Sequence, residues 1–268
     1  MSLPFDLFDS ITARYCGENA VGLANAARLA YRRDDAFCKS EAGSWGYPQC
    51  QPLGCRETQY LVMGNATAVV VAFRGTEPAQ LKDWMTDIDT RLVPGPFGQV
   101  HDGFWRALDH VWVELNAVVA QFQSLGQSLW VTGHSLGAAL ATLACARWRA
   151  ADKPVNGLYT FGSPRVGDRD FERAFNQDFQ KRNFRFVNNG DIVTRVPLRA
   201  MGYSHVGTLA YLDDQGMLRT DPGWWDRFLN RVHVEIEDLG KLGLADVEAH
   251  SVDNYVALCE KNRAAQPF

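Results

Sequence analysis

The stretch VTGHSLGAALATLAC, residues 131–145, holds Ser135 between Gly133 and Gly137. Neither serine nor two closely spaced glycines favours the helix that the alanine-rich run after them would form. The conflict resolves if Ser135 sits at the tip of a sharp turn from a strand, residues 128–132, into that helix. Side chains flanking such a tip would strike the strand and the helix, and glycine has none. The hydroxyl is then held in a strained backbone conformation at a helix N-terminus, where the field favours developing negative charge. That is the position of a nucleophile. A chance G-x-S-x-G among 23 glycines is the competing explanation, and the strand before the motif and the small-residue helix after it argue against it. A phosphate-binding loop is excluded because no Gly-Lys-Ser/Thr follows.

A serine hydroxyl becomes a competent nucleophile when a histidine takes its proton and a carboxylate orients that histidine. On a sheet with such an elbow the partners follow in the order Ser, Asp or Glu, His. His205, His233 and His250 satisfy the order. His233 falls in an amphipathic helical pattern and His205 opens a strand. His250 stands in a polar loop just before the last helix, from which a mobile side chain can reach the top of a sheet, and is preferred. Asp191 follows the strand NFRFVN through the turn Asn188-Asn189-Gly190, at the same sheet edge as Ser135. Asp213, Asp214 and Asp221 fit a hairpin and its exit instead. His134 is expected to point away from Ser135 and to be structural. A tetrahedral intermediate also needs oxyanion donors. The N–H of Leu136 supplies one, and Thr76, just past the strand VVVAF, is placed to supply another.

These side chains must be positioned by the rest of the chain. Residues 19–31 carry apolar side chains at helical spacing, and a loop rich in Gly, Pro and Cys follows. The runs ETQYLVM and ATAVVVAF, joined at Gly64-Asn65, read as a hairpin. Helices at 103–122, 138–150 and 169–179 then alternate with strands SLWVT, GLYTFG and NFRFVN, which predicts a mostly parallel sheet with helices on both faces. HVGTLAYLDDQGMLRT reads as a late hairpin turning at residues 213–216, and helices at 225–239 and 252–263 end the chain.

The motifs FRGT, VTGHSLGAALA, FGSPRVGD, NNGDIVTRVP and HSVDNYV, in this order and spacing, resemble the class 3 lipase family, the fungal-type triacylglycerol lipases and their bacterial relatives. The likeness covers residues 68–255. It implies an α/β-hydrolase fold, Ser135, Asp191 and His250 as the catalytic triad, and Thr76 with Leu136 as the oxyanion hole. Many fungal members carry serine at the oxyanion position where this chain has threonine. Residues 32–60 match no motif of the family.

Between Thr76 and Phe104, the residues Leu81, Trp84, Met85 and Ile88 fall at i, i+3, i+4 and i+7, opposite Lys82, Asp83, Thr86, Asp87 and Asp89: a short amphipathic helix. In the family that this chain resembles, the segment at about 77–97 is a lid over the serine, which implies closure in water and opening at a lipid–water interface. Without that likeness, a helix packed permanently on the core is the simpler reading. His101 and Asp102 border the lid's end and are expected to help fix it.

Bulk properties bound the rest. At 268 residues the chain suits a single domain, 1–268. A hydrophobic share of 46% and a charged share of 22% exclude disordered and fibrous classes. A net charge of -4 provides no basic footprint for nucleic acid. No apolar run approaches the roughly 20 residues of a transmembrane span. The opening MSLPFDLFDS lacks a positive n-region and an apolar h-region, so the protein is secreted if a signal peptide has been removed and cytoplasmic otherwise. Cys16, Cys38, Cys50 and Cys55 leave disulfide pairing open, a staple in the loop of residues 38–55 included, while Cys145 and Cys259 suit buried positions. No spacing suggests zinc, and neither a metal nor an organic cofactor is expected. The sequence thus predicts a serine carboxylic-ester hydrolase, foremost a triacylglycerol lipase. The rivals are a phospholipase A1, a feruloyl-type esterase, and a hydrolase-like binding module without turnover.

Overall fold

The computed structural model describes residues 2–87, 89–219 and 248–266. Helices α1 (Gly17–Leu29) and α2 (Asp35–Ser44) precede β1 (Gln49–Cys55), β2 (Thr58–Gly64) and β3 (Ala68–Phe73). A 3-10 turn at Pro78–Gln80 enters α3 (Leu81–Asp87), followed by β4 (Leu92–Pro94), β5 (Gln99–His101), α4 (Asp102–Asp109) and α5 (Trp112–Phe122). Then come β6 (Ser128–His134), α6 (Leu136–Ala150), β7 (Gly157–Phe161), α7 (Arg169–Phe179), β8 (Asn183–Asn188), β9 (Thr208–Leu212), β10 (Leu218–Arg219) and α8 (Val252–Lys261).

Among the described residues, eight strands form one sheet in the order β1-β2-β3-β6-β7-β8-β9-β10. The run from β3 through β6, β7 and β8 to β9 is parallel, and the antiparallel hairpins β1-β2-β3 and β9-β10 lie at the two edges. Successive side chains of a strand serve opposite faces. On β6, Leu129 and Val131 enter a core with α4, α5, α6 and α7, while Trp130 enters a second core with α1, α2 and α8. Both faces are therefore buried, as a parallel sheet requires. This is the expected α/β-hydrolase arrangement, with the C-terminal ends of β6 and β8 at one edge. Among the described residues no helix is long and apolar enough to cross a membrane.

Two local expectations are corrected, and the cysteine pairing that the sequence left open is resolved. The loop expected after α1 contains α2, whose N-terminus Asp34 caps by accepting from the Phe37 N–H at 3.0 Å. It also contains β1, which takes its extended form from pairing with β2, and Pro52 is tolerated there because β1 is an edge strand. No staple closes this region, since all six cysteines are free: Cys38 is buried on α2 and Cys50 lies on β1, its thiol 3.7 Å from the Cys38 carbonyl rather than its sulfur. The single helix expected over 103–122 breaks at His110 and Val111, which lets α4 pack along α6 while α5 turns back over β2 and β3. The helix expected at 225–239, with His233 on it, and Asp221 and Ile88 lie outside the described residues.

Candidate active site

Ser135 occupies φ 58°, ψ -131°, between the last residue of β6 and the first of α6. L-residues rarely adopt that conformation, and its persistence marks a position over-determined by its surroundings. The surroundings are tight: a Cβ on Gly133 would overlap the Gly137 carbonyl, and one on Gly137 would overlap the Phe73 carbonyl. Bare backbone at these positions lets α6 begin in contact with β6 and β3. The Ser135 N–H is bonded to the Phe161 carbonyl at 3.0 Å, which ties the elbow to β7.

Asp191 follows β8, and His250 stands two residues before α8. The two meet: His250 Nδ1 donates to Asp191 Oδ1 at 3.0 Å and Oδ2 at 2.9 Å. Far from standing in an open loop, His250 is buried, only 3% exposed. The carboxylate also accepts from the Val193 N–H at 3.0 Å and from the Tyr255 hydroxyl at 2.6 Å. Tyr255 in turn accepts from the Asn188 N–H at 3.0 Å. The sequence reading missed Tyr255, although its place on the helix after His250 was a usable signal. A Cβ on Gly162 would lie 2.8 Å from both Asp191 Oδ2 and His250 Cε1, so β7 ends hard against this pair. Ser135 Oγ and His250 Nε2 are both buried, and neither has a hydrogen-bond partner among the described residues. The serine–histidine bond is therefore not made in this structure.

Thr76 Oγ1 is another buried oxygen without a partner among the described residues. Leu136 opens α6, where first-turn N–H groups have no intrahelical acceptor. Glu77, next to Thr76, is clasped by Arg33 at 3.1 Å and Arg74 at 3.3 Å. Tyr31, Thr76, Leu81, His134, His250 and Val252 are among the residues lining a pocket of about 590 Å³. Ser135 itself is 0% exposed.

Helix α3 contributes Leu81 to the pocket lining. Leu81 and Met85 are buried against Ile192, Val193 and Val196, on the loop that follows Asp191. Trp84 is half-buried and stacks with Phe104 at 6.3 Å between centroids, while Lys82 and Asp83 face solvent. Asp102 pairs with Arg91, just past α3, and with Arg106. His101 caps α4, Nδ1 accepting from the Phe104 N–H at 3.3 Å.

The remaining candidates have other partners. His205 Nε2 bonds the Thr194 carbonyl at 2.7 Å, and Asp213 accepts from the Gln215 and Met217 N–H groups in the β9–β10 turn. His134 reaches Tyr31 and the His250 backbone. Among the described residues no group of three His, Cys, Asp or Glu side chains is placed to hold a metal ion.

Residues 70–201 match the family described as Lipase (class 3). A secreted mono- and diacylglycerol lipase A of Penicillium cyclopium is 38% identical over 149 residues, 52% of this chain and 46% of that protein. The chain thus spans about half the length of the curated relatives it first matches. Phospholipase A1-II 4 of Oryza sativa subsp. japonica is 30% identical over 278 residues, 85% of this chain and 67% of that protein. Among solved structures, a mono- and diacylglycerol lipase from Aspergillus oryzae superposes with a TM-score of 0.69 at 21% identity, covering 90% of this chain and 98% of that one, a likeness of fold.

Proposed function

Because this chain belongs to the class 3 lipase family, we propose that it is a serine carboxylic-ester hydrolase acting on acylglycerol esters, triacylglycerols foremost, through an acyl-enzyme intermediate. The observation that carries the proposal is the buried Asp191–His250 pair beside an elbow serine, with Ser135 Oγ and His250 Nε2 both unpaired among the described residues. Unpaired buried polar atoms are costly, and a substrate-bound state that joins them recovers the loss. Ser135 Oγ attacks the ester carbonyl while His250 Nε2 takes its proton, and His250 then delivers that proton to the leaving alcohol. Asp191 holds the imidazole in the tautomer with Nε2 free and stabilises its charged form. The Leu136 N–H, with the Thr76 N–H and hydroxyl, receives the oxyanion. Water, activated by the same imidazole, releases the acyl group.

Residues 77–97 are the lid of a single domain in this reading. With Leu81 and Met85 seated on the loop after Asp191 and Ser135 sealed from solvent, the structure fits the closed state. A lipid surface offers α3 another apolar partner. A phospholipase A1 activity is the second reading, favoured by the rice relative aligned over 85% of this chain.

Hydrolysis of an ester chain-length series, below and above saturation, tests the proposal against a Ser135→Ala control. Phosphatidylcholine beside trioleoylglycerol separates the two readings. Turnover retained by Ser135→Ala, or none by the wild type on any ester, would refute the assignment.

A further inference from the structure

His134 precedes the nucleophile and takes no part in the proton path just described, yet both of its ring nitrogens are engaged. Nε2 lies 2.6 Å from the backbone carbonyl of His250, and Nδ1 lies 2.7 Å from the hydroxyl of Tyr31 on the residues following α1. The roles can be assigned from chemistry. A carbonyl only accepts, so Nε2 carries the proton. Burial, followed by the neighbouring His250, holds the His134 pKa well below the usual histidine range, so the ring is neutral and Nδ1 is a lone pair. The Tyr31 hydroxyl must then donate to Nδ1. Burial also raises the Tyr31 phenol far above neutral pH, which keeps its proton in place.

We propose that Tyr31 and His134 are positioning residues for His250, forming a relay in which the Tyr31 hydroxyl orients the His134 ring and His134 Nε2–H holds the His250 main chain. The inference rests on the reading of His250 as the general base. Asp191 restrains the imidazole from its side-chain end, and the relay restrains the same residue from its backbone end, 116 residues away in sequence. The two histidine rings lie 4.5 Å apart between centroids, so a neutral His134 also spares His250 a neighbouring positive charge when it accepts the serine proton. Tyr31 and Ser135 both crowd Gly75, where an added Cβ would lie 2.8 Å from Ser135 Cβ and would overlap the Tyr31 hydroxyl. Tyr31 thus reaches the strand end that carries Thr76 as well as the ring beside His250.

The test uses Tyr31→Phe, His134→Leu and His134→Gln, assayed on a soluble short-chain p-nitrophenyl ester, with folding checked by urea denaturation. A glutamine amide can still donate to the His250 carbonyl, whereas leucine cannot. A small misplacement of a catalytic base lowers kcat more than it alters substrate binding, so kcat is expected to fall about 10-fold in Tyr31→Phe and further in His134→Leu, with KM within about twofold and partial recovery in His134→Gln. Wild-type kcat in folded Tyr31→Phe, or equal losses in the glutamine and leucine variants, overturns the proposal. Tyr31→Phe removes one hydroxyl and carries the kinetic arm if His134→Leu fails to fold. Histidine-labelled NMR of the wild type is independent of turnover: His134 is expected as the neutral Nε2–H tautomer, and a protonated or Nδ1–H ring at neutral pH sinks the relay. Loss of all ester hydrolysis in the wild type would count against the base assignment and leave the tautomer result standing.

Discussion

Asp191 and His250, 59 residues apart in sequence, form a buried pair in which the imidazole Nδ1 lies 2.9 Å from a carboxylate oxygen that also accepts from Tyr255. An Asp191→Asn amide keeps the shape and presents an N–H where an acceptor is needed, which favours the wrong imidazole tautomer. A loss of about 10⁴-fold in kcat is expected, by analogy with the same exchange in serine proteases. Steady-state assays on a soluble ester, with circular dichroism to confirm folding, decide it; a loss of less than about tenfold would remove Asp191 from the proton path.

Tyr255→Phe deletes one donor to Asp191 and the acceptor of the Asn188 N–H. An orphaned buried N–H costs about 1–3 kcal/mol, so the urea midpoint falls and kcat drops by several-fold. An unchanged midpoint would mean that the amide finds another partner.

Gly137→Ala places a methyl group on the Phe73 carbonyl, where only backbone surrounds it. Backbone cannot yield as a side chain does. Overpacking of this kind costs about 1–3 kcal/mol or more, and the variant is expected to melt early with little folded yield. A thermal melt matching the wild type would show that α6 does not approach β3 as closely as described.

Leu81→Ser weakens the apolar seat of α3 on Ile192, Val193 and Val196. Burial of a leucine side chain is worth about 1.5–3 kcal/mol, so losing much of it shifts the closed-to-open balance about tenfold or more. Rates on a monomeric short-chain ester should rise, and the jump at substrate saturation should shrink. Identical rate curves for variant and wild type would leave α3 as a fixed packing helix.

Three histidines whose charged form is disfavoured in the fold, His101, His134 and His205, make stability depend on pH. Burial lowers His101 to about 4, against the partial opposition of Asp89 and Asp102. Burial, ahead of neighbouring positive charge, also lowers His134 and His205 well below their usual value. Between the folded and unfolded pKa values the unfolded chain binds more protons, so stability is full above about 6.5 and declines as pH falls toward 4. Urea midpoints from pH 8 to 4.5 should trace that decline, and His101→Gln should flatten it. A midpoint rising on acidification would reverse the sign.

Much of the site was legible because its signals are local. G-x-S-x-G between a strand and a small-residue helix requires a turn wherever it occurs, and Arg169–Phe179, with its phenylalanines spaced for one face, forms the helix its periodicity predicts. Other features carried no local mark. Residues 49–55, rich in Cys, Gly and Pro, are extended because β2 offers them a partner, and cysteines close in sequence point into different environments. The turn that points His134 away from Ser135 carries no mark of its partners in space, Tyr31 and His250, which are distant in sequence.

The sequence by itself determined the elbow that presents Ser135, the chain order of Ser135, Asp191 and His250, and the alternation that builds a parallel sheet. These follow from sterics and periodicities spanning a few residues. Only the tertiary structure decided which polar atoms meet in the interior: the tyrosine on Asp191, the relay behind His250, the seat of α3 and the pairing of β1. Hydrogen bonds and apolar contacts between segments tens of residues apart depend on how whole elements stack, and stacking is a property of the folded chain rather than of any short stretch of it.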